Sequence, residues 1–253
     1  MPDEKLANAA ADAPFVFVGT VEQPGASSVA GAPADEHTGI VRVEHVVRAP
    51  EVVGLVPGAT VTVRSEDSPP QAGERALYLA DSWIYGDGIA VNERARQPIA
   101  GSGAEPGAEA PQPDEAQLEE LAQAPLKARA EKADLIVQGR VVGLEPVVGA
   151  APGKEAEITS EHDPEWWYAE IAVDDVLKGR AGDTVRLAFP SSTDVAWHGW
   201  PRPTAGQTGV FLLHQPERSD VKNAYVAPHP LDTQPHGTAD NVRALAGGDG
   251  TGG

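Results

Sequence analysis

The side chains in this sequence that are best suited to bind another molecule are aromatic and lie in its second half. Four of the five tryptophans are Trp166, Trp167, Trp197 and Trp200. An indole ring offers a large rigid apolar face and one hydrogen-bond donor, so it suits contact with a ligand or a partner. Trp197 and Trp200 belong to a Trp-His-Gly-Trp-Pro-Arg-Pro segment whose composition is typical of a loop.

Trp166, Trp167 and Tyr168 fall in a stretch that predicts a β-strand. Alternation along residues 165–171 places Trp167, Ala169 and Ile171 on the core face and Trp166 and Tyr168 on the outer face. A ligand platform on this surface would use a specific set of residues: Trp166, Tyr168, Asp194, Trp197, His198 and Trp200. The alternative is that the loop tryptophans cap the end of a barrel or pack on a neighbouring domain.

An acidic segment just before this strand has the residue types of a metal site. Glu161, His162 and Asp163 place one imidazole and two carboxylates side by side. Oxygen and nitrogen donors of this kind can hold a divalent cation, although such runs are more often solvated loops. The sequence predicts no resident cofactor.

Motifs of common enzyme classes are missing from the sequence. It contains no Gly-x-Ser-x-Gly elbow, no phosphate-binding loop, no His-Glu-x-x-His and no dinucleotide fingerprint. It also contains no cysteine, which excludes disulfides, thiolate metal sites and a cysteine nucleophile. These absences favour a protein that is not an enzyme.

The charge and hydropathy patterns restrict the partners. The chain has 38 acidic and 19 basic side chains, a formal net charge of −19 at pH 7. This charge repels polyanions, so nucleic acid is an unfavourable partner. Apolar runs such as residues 15–18 are far shorter than the roughly 20 residues that cross a bilayer, so membrane insertion is not expected. No secretory signal is visible, which makes the cytoplasm the expected compartment unless a leader has been removed.

Five blocks of sequence recur in the same order in the two halves, which predicts two copies of one domain. Each block has the apolar alternation or glycine turn of a β-strand and its start. The matched blocks are 15–21 with 135–141, 41–48 with 171–178, 57–63 with 181–187, 72–79 with 205–212, and 89–91 with 224–226. In the second pair the alternation slips by one residue, as in a β-bulge.

The segments around the two copies predict the domain boundaries. Residues 101–123 are rich in Ala, Gly, Pro and Glu, which is typical of an acidic flexible linker. We therefore expect a first barrel in residues 1–100, a second in 124–236 and a disordered Gly-rich tail in 237–253. A short helix is expected before the first strand of each copy.

The second copy carries a set of motifs in a recognisable order. An Ala133-Asp134 pair precedes its first strand, a Lys178-Gly179 turn follows its bulged second strand, and Gly206 precedes the strand that closes the sheet. In this order the motifs resemble netrin-like domains related to tissue inhibitors of metalloproteinases. The resemblance implies an all-β fold of two tandem five-stranded OB-type barrels. The inhibitors of that family place an N-terminal cysteine on a protease zinc, and the absence of cysteine here rules out that mechanism.

Three functions remain open from the sequence. The first is a non-enzymatic binding or assembly module that engages a protein partner. The second is a small-molecule or carbohydrate receptor, with the outer tryptophans as platform and Asp194 or His198 for polar specificity. The third is a metal-assisted hydrolase that uses His162 or His198.

Overall fold

The computed structural model describes residues 4–85, 88–99, 114–147, 165–191, 197, 199–216 and 223–247. The chain divides into two compact units, a first unit of residues 1–125 and a second unit of residues 126–253. Strands dominate both units, which confirms the expected mostly β architecture. None of the helices in these ranges is long and apolar enough to cross a membrane.

The first unit is a closed five-stranded barrel preceded by a helix. Its strands follow the order β1-β2-β3-β5-β4 around the barrel. The β3–β5 pair is parallel, whereas the other pairs are antiparallel. The elements are α1 (Glu4–Asp12), β1 (Phe15–Pro24), β2 (Thr38–Arg48), a 3₁₀ turn (Glu51–Val53), β3 (Thr60–Arg64), β4 (Arg75–Tyr85) and β5 (Ile89–Pro98).

Alternation along the strands separates two apolar layers in the first unit. Phe15, Phe17 and Tyr78 point into the barrel and form its core, where the rings of Phe17 and Tyr78 stack with centroids 5.3 Å apart. Val16 and Val18 point outward and pack under the helices. The strands that face these helices are therefore buried on both sides.

The second unit is a curled six-stranded sheet flanked by helices. Its strand order is β10-β8-β7-β6-β9-β11. Backbone hydrogen bonds of 2.9 Å in both directions join His214, just after β9, to Val226 in β10. The remaining elements of the chain are α2 (Glu115–Lys132), β6 (Leu135–Pro146), β7 (Glu165–Lys178), β8 (Thr184–Ser191), β9 (Thr208–Leu213), β10 (Tyr225–Val226), 3₁₀ turns (Pro230–Asp232 and His236–Thr238), β11 (Thr233–Pro235) and α3 (Ala239–Leu245).

The long ladders in both units change register at bulges. The β1–β2 ladder shifts after Val16, after Val18 and after Val21. The β6–β7 ladder shifts after Ile136, Gln138 and Val141. The bulges in β2 and β7 that the sequence indicated are therefore present.

Two helices fall within the stretches that the composition assigned to the linker and the tail. Helix α2 begins at Glu115, within residues 101–123, and its Leu118 and Leu121 pack against the outer apolar layer of the first unit. Helix α3 lies inside the stretch 237–253 that was expected to be disordered. Its Val242 is fully buried against β6 and β9, which provides the apolar contact that orders it.

A cation at the end of one strand in each unit binds the helix before the first strand. Arg48 donates to the carbonyl oxygens of Ala10 and Ala13 at 2.7 and 2.8 Å. Lys178 donates to the carbonyl oxygens of Ala130 and Glu131 at 2.9 and 2.7 Å. These carbonyls lack partners within their helices, so the cations act as C-terminal caps. Lys178 thus has a role beyond the turn chemistry indicated by its Lys-Gly motif.

Candidate functional site

The aromatic residues of strand β7 lie on opposite faces of the second sheet. Trp167, Ala169 and Ile171 face the barrel-like interior, where the latter two are fully buried. Trp166 and Tyr168 face outward and lie in a separate apolar cluster. The alternation predicted from the sequence is therefore confirmed for these residues.

Three indole rings meet on this outer face. The ring centroids of Trp166 and Trp197 are 5.8 Å apart, those of Trp166 and Trp200 5.8 Å, and those of Trp197 and Trp200 5.5 Å. The rings are edge-to-face, with interplanar angles of 78°, 85° and 65°. We call Trp166, Trp197 and Trp200 the tryptophan cluster. Each of the three remains partly exposed.

The floor under the tryptophan cluster consists of small apolar side chains. Ala188 of β8 and Ala224 and Val226 at β10 form a buried group against which Trp166 and Trp200 pack. Small residues leave room for large rings to lie close to the strand backbone. The amide of Trp200 also donates to the carbonyl of Trp197 at 3.1 Å, which fixes the turn that carries both rings.

A charged group borders the tryptophan cluster. The guanidinium of Arg186 lies over the ring of Tyr168, 5.5 Å from its centroid, and forms an ion pair of 2.9 Å with Glu145. Glu170 of β7, which pairs with Arg186, is exposed beside it. The surroundings therefore combine ring faces with carboxylates.

The remaining candidates from the sequence lie outside the described residues. These are Asp194 and His198 in the loop and Glu161, His162 and Asp163 before β7. Within the described ranges, no group of three His, Asp or Glu side chains could hold a metal ion.

A buried ion pair in the second unit was missed by sequence reasoning. Asp232 is fully buried and accepts two hydrogen bonds from Arg129, at 2.8 Å to Oδ1 and 2.5 Å to Oδ2. His214 Nε2 lies 3.4 Å from Oδ1. Burial alone would raise the pKa of Asp232, but the hydrogen bonds from His214 and Arg129 and their charges hold that pKa below its ordinary value. This arrangement connects the 3₁₀ turn before β11 to α2 and stabilises the fold.

The first unit has its own buried polar cluster at β5. Burial raises the pKa of Glu93, and a hydrogen bond from the Ser65 hydroxyl and the nearby Arg96 charge oppose that rise. Arg96 also contacts Glu74 at 3.2 Å. These charges compensate one another inside the barrel, as buried ionic groups must. A local sequence pattern gives no sign of them because Ser65 and Glu74 are far from β5 along the chain.

The chain matches no known protein-family model and no curated protein sequence.

Proposed function

We propose that this chain is a non-enzymatic binding module of two tandem OB-type barrels, and that its second unit engages a protein partner through the tryptophan cluster. The observation that carries the proposal is the cluster itself. Three large rings lie partly exposed on the outside of a strand pair. Tryptophan is enriched among the residues that dominate the energetics of protein interfaces.

The strand registers support a duplication. The three register breaks of the β1–β2 ladder and those of the β6–β7 ladder have the same spacing along the chain. Gly19 and Gly139 lie between the second and third breaks. A Cβ there would come within 2.7 Å of the Arg42 carbonyl oxygen in one case and 2.2 Å of the Ala172 oxygen in the other. Both units therefore require glycine at the same place for the same steric reason.

The pairing of the last strands supports an interrupted fifth strand in the second unit. In the first unit β5 pairs with β3 in parallel and then with β4. In the second unit β10 pairs in parallel with β8, and β11 pairs with β9 after an excursion over residues 227–232. In the first unit Val91 pairs with Val63, and in the second unit Tyr225 pairs with Leu187. Since Val63 and Leu187 end the matched third blocks, Val91 corresponds to Tyr225. The fifth block match is thus displaced by one residue from the alignment made on sequence.

The strand order supports the OB assignment. The order β1-β2-β3-β5-β4 is the Greek-key arrangement of five-stranded OB barrels. We extend this assignment to the second unit, as an OB barrel with a broken fifth strand. The same assignment agrees with the resemblance of its motifs to netrin-like domains. OB barrels bind ligands on the outer face of their second and third strands, which are β7 and β8 here.

The second unit carries an addition on that face. In the first unit, β2 begins and β3 ends at the Thr38–Arg64 pair. The equivalent pair in the second unit is Tyr168–Ala188. Strands β7 and β8 continue beyond this point with residues 165–167 and 189–191. Trp166 belongs to this continuation. A feature added to one copy, beyond what closes the barrel in the other, indicates a function specific to that copy.

Partner capture tests the proposal. The full chain and its Trp197→Ala/Trp200→Ala variant are immobilised and exposed to an extract of the source cells, and bound species are identified by mass spectrometry. We expect a protein that binds the unchanged chain and is lost with the variant. Trp83→Ala is the matched control, since Trp83 is a partly exposed tryptophan of the first unit, where its ring packs against the guanidinium of Arg64.

Thermal unfolding separates binding from packing in the same variants. Truncating a tryptophan buried in a core typically lowers the free energy of unfolding by about 3 to 5 kcal/mol. A drop of that size in the second unit, or equal capture by all three proteins, would contradict the proposal. Retention of an oligosaccharide instead of a protein would favour the carbohydrate receptor.

A further inference from the structure

We infer that the tryptophan cluster binds an extended, proline-containing and basic peptide segment of its partner protein. This inference rests on the proposed function and specifies the chemistry of the partner. It depends on three features: the angles between the rings, the charge beside them, and what covers the corresponding face of the first unit.

The ring angles favour a ridged ligand over a flat one. The three rings meet at 65° to 85°, so they present apolar faces in different directions rather than one continuous plane. A sugar ring stacks on a flat aromatic face. The pyrrolidine rings of a polyproline II helix project as ridges every third residue, and this helix loses little entropy on binding.

The charge around the cluster favours a basic ligand. Glu145 and Arg186 compensate each other in an ion pair, and the exposed Glu170 of β7, which pairs with Arg186, lies on the same outer face as Trp166 and Tyr168. The whole chain carries a net charge of −19. A cationic peptide is attracted by this field, and its arginines can stack on indole faces.

The protein itself places guanidinium groups on aromatic rings in both units. Arg186 lies 5.5 Å from the Tyr168 centroid and Arg64 lies 5.3 Å from the Trp83 centroid. These intramolecular pairs are examples of the contact proposed for the ligand.

The first unit already has a peptide segment on the corresponding face. Residues 27–29 of the β1–β2 connection cross the outside of β3, where the Ser28 amide and hydroxyl lie 2.9 and 3.0 Å from Thr62 Oγ1. Val29 is buried there, and one of its methyl groups lies 2.9 Å from the point where Gly88 would carry a Cβ. This outer face therefore accommodates main chain and small side chains in one copy. In the other copy it presents the tryptophan cluster.

Synthetic peptides of known conformation test the inference on the full chain. The probe repeats Pro-Pro-Arg over roughly twelve residues, which favours polyproline II. One control repeats Pro-Pro-Glu, and a second repeats Gly-Ser-Arg to keep the charge without the helix. Binding is measured by calorimetry and by tryptophan fluorescence at low and moderate salt.

The expected result has three parts. The Pro-Pro-Arg peptide binds saturably, the Gly-Ser-Arg peptide binds roughly tenfold more weakly, and the Pro-Pro-Glu peptide does not bind. Trp197→Ala/Trp200→Ala weakens the Pro-Pro-Arg complex by roughly 30-fold or more, whereas Trp83→Ala leaves it unchanged. Glu170→Lys, which alters an exposed strand position on the outer face, weakens it too and keeps the test valid if the tryptophan variant does not fold.

Three results would overturn the inference: no saturable binding of the Pro-Pro-Arg peptide, equal binding of the Gly-Ser-Arg peptide, or binding that survives in the folded tryptophan variant. If partner capture depends on the tryptophan cluster while the Pro-Pro-Arg peptide fails to bind, the proposed function stands and this inference alone is wrong.

Discussion

At the scale of single residues, the second unit depends on a carboxylate held without contact with water. Asp232 is fully buried, and its Arg129 partner is 24% exposed in its side chain. Removing one member of a buried pair leaves the other charge uncompensated, which is more costly than the net gain from forming the pair. The loss of Asp232 should therefore lower the stability of the whole second unit.

Asp232→Asn should lower the free energy of unfolding of the second unit by about 3 kcal/mol at neutral pH. The pKa of Asp232 in the folded protein lies below its ordinary value of 3.8, so the ionised carboxylate stabilises the fold above that pH. This stabilisation is lost as the pH falls through the folded-state pKa. The difference between the two proteins, measured by urea unfolding, should accordingly shrink below a pH of about 4. A difference independent of pH would contradict this assignment.

Gly139→Ala should destabilise the second unit by about 2 kcal/mol or more, because the new methyl group meets the backbone oxygen of Ala172 at 2.2 Å. Backbone in a paired strand cannot move aside as a flexible side chain can. Gly182→Ala is the control, since nothing lies within 4 Å of its Cβ position. Urea unfolding measures both variants, and equal effects would show that the strands separate easily at Gly139.

Some residue-level features could be predicted from the sequence and others could not. The faces taken by Trp166 and Trp167 follow from a period of two residues, which is visible locally. The contact between Arg129 and Asp232 joins residues 103 positions apart, and no local pattern encodes it. The gathering of Trp197 and Trp200 onto Trp166 likewise required the path of the loop.

At the scale of elements, a cation at the end of the second strand of each unit positions the helix that precedes the first strand. Arg48 and Lys178 bind the last carbonyls of α1 and α2 from the ends of β2 and β7. Strand blocks and the helices before them were predictable because their apolar patterns are strong. The break between β10 and β11 was not, since residues 227–232 leave the sheet to bury Asp232, and that depends on Arg129 of α2.

Lys178→Met should cost about 1 kcal/mol, because it removes two charge-assisted hydrogen bonds while keeping the apolar stem. Lys178→Arg should retain most of that stability. The exposed Arg180→Met serves as the control two residues away. Thermal unfolding followed by circular dichroism measures all three, and a loss with Arg180→Met equal to that with Lys178→Met would indicate a general charge effect instead of a cap.

At the scale of the whole molecule, the charge of −19 affects every encounter. Such a field slows approach to other anions and speeds approach to cations, over a range of about 8 Å at physiological salt. The charge was available from composition alone, whereas the distribution of carboxylates around the tryptophan cluster was not.

DNA and RNA should not bind at physiological salt, because phosphate contacts need clustered lysine and arginine to release counterions. A gel-shift titration with single-stranded and double-stranded probes measures this. A complex formed at submicromolar protein that weakens as salt rises would contradict the prediction.

The junction between His214 and Val226 has a dynamic consequence. In the first unit β4 and β5 pair over most of their length, whereas in the second unit, among the residues that the structure describes, one residue pair joins the end of β9 to β10. A seam of this kind can open locally without global unfolding, so its amides should exchange with deuterium sooner than those of β4. Local opening at the His214–Val226 pair would separate β10 from β9 and shift Ala224 and Val226 beneath Trp200. The floor of the tryptophan cluster is thus attached to a strand pairing that should exchange sooner than its counterpart in the first unit.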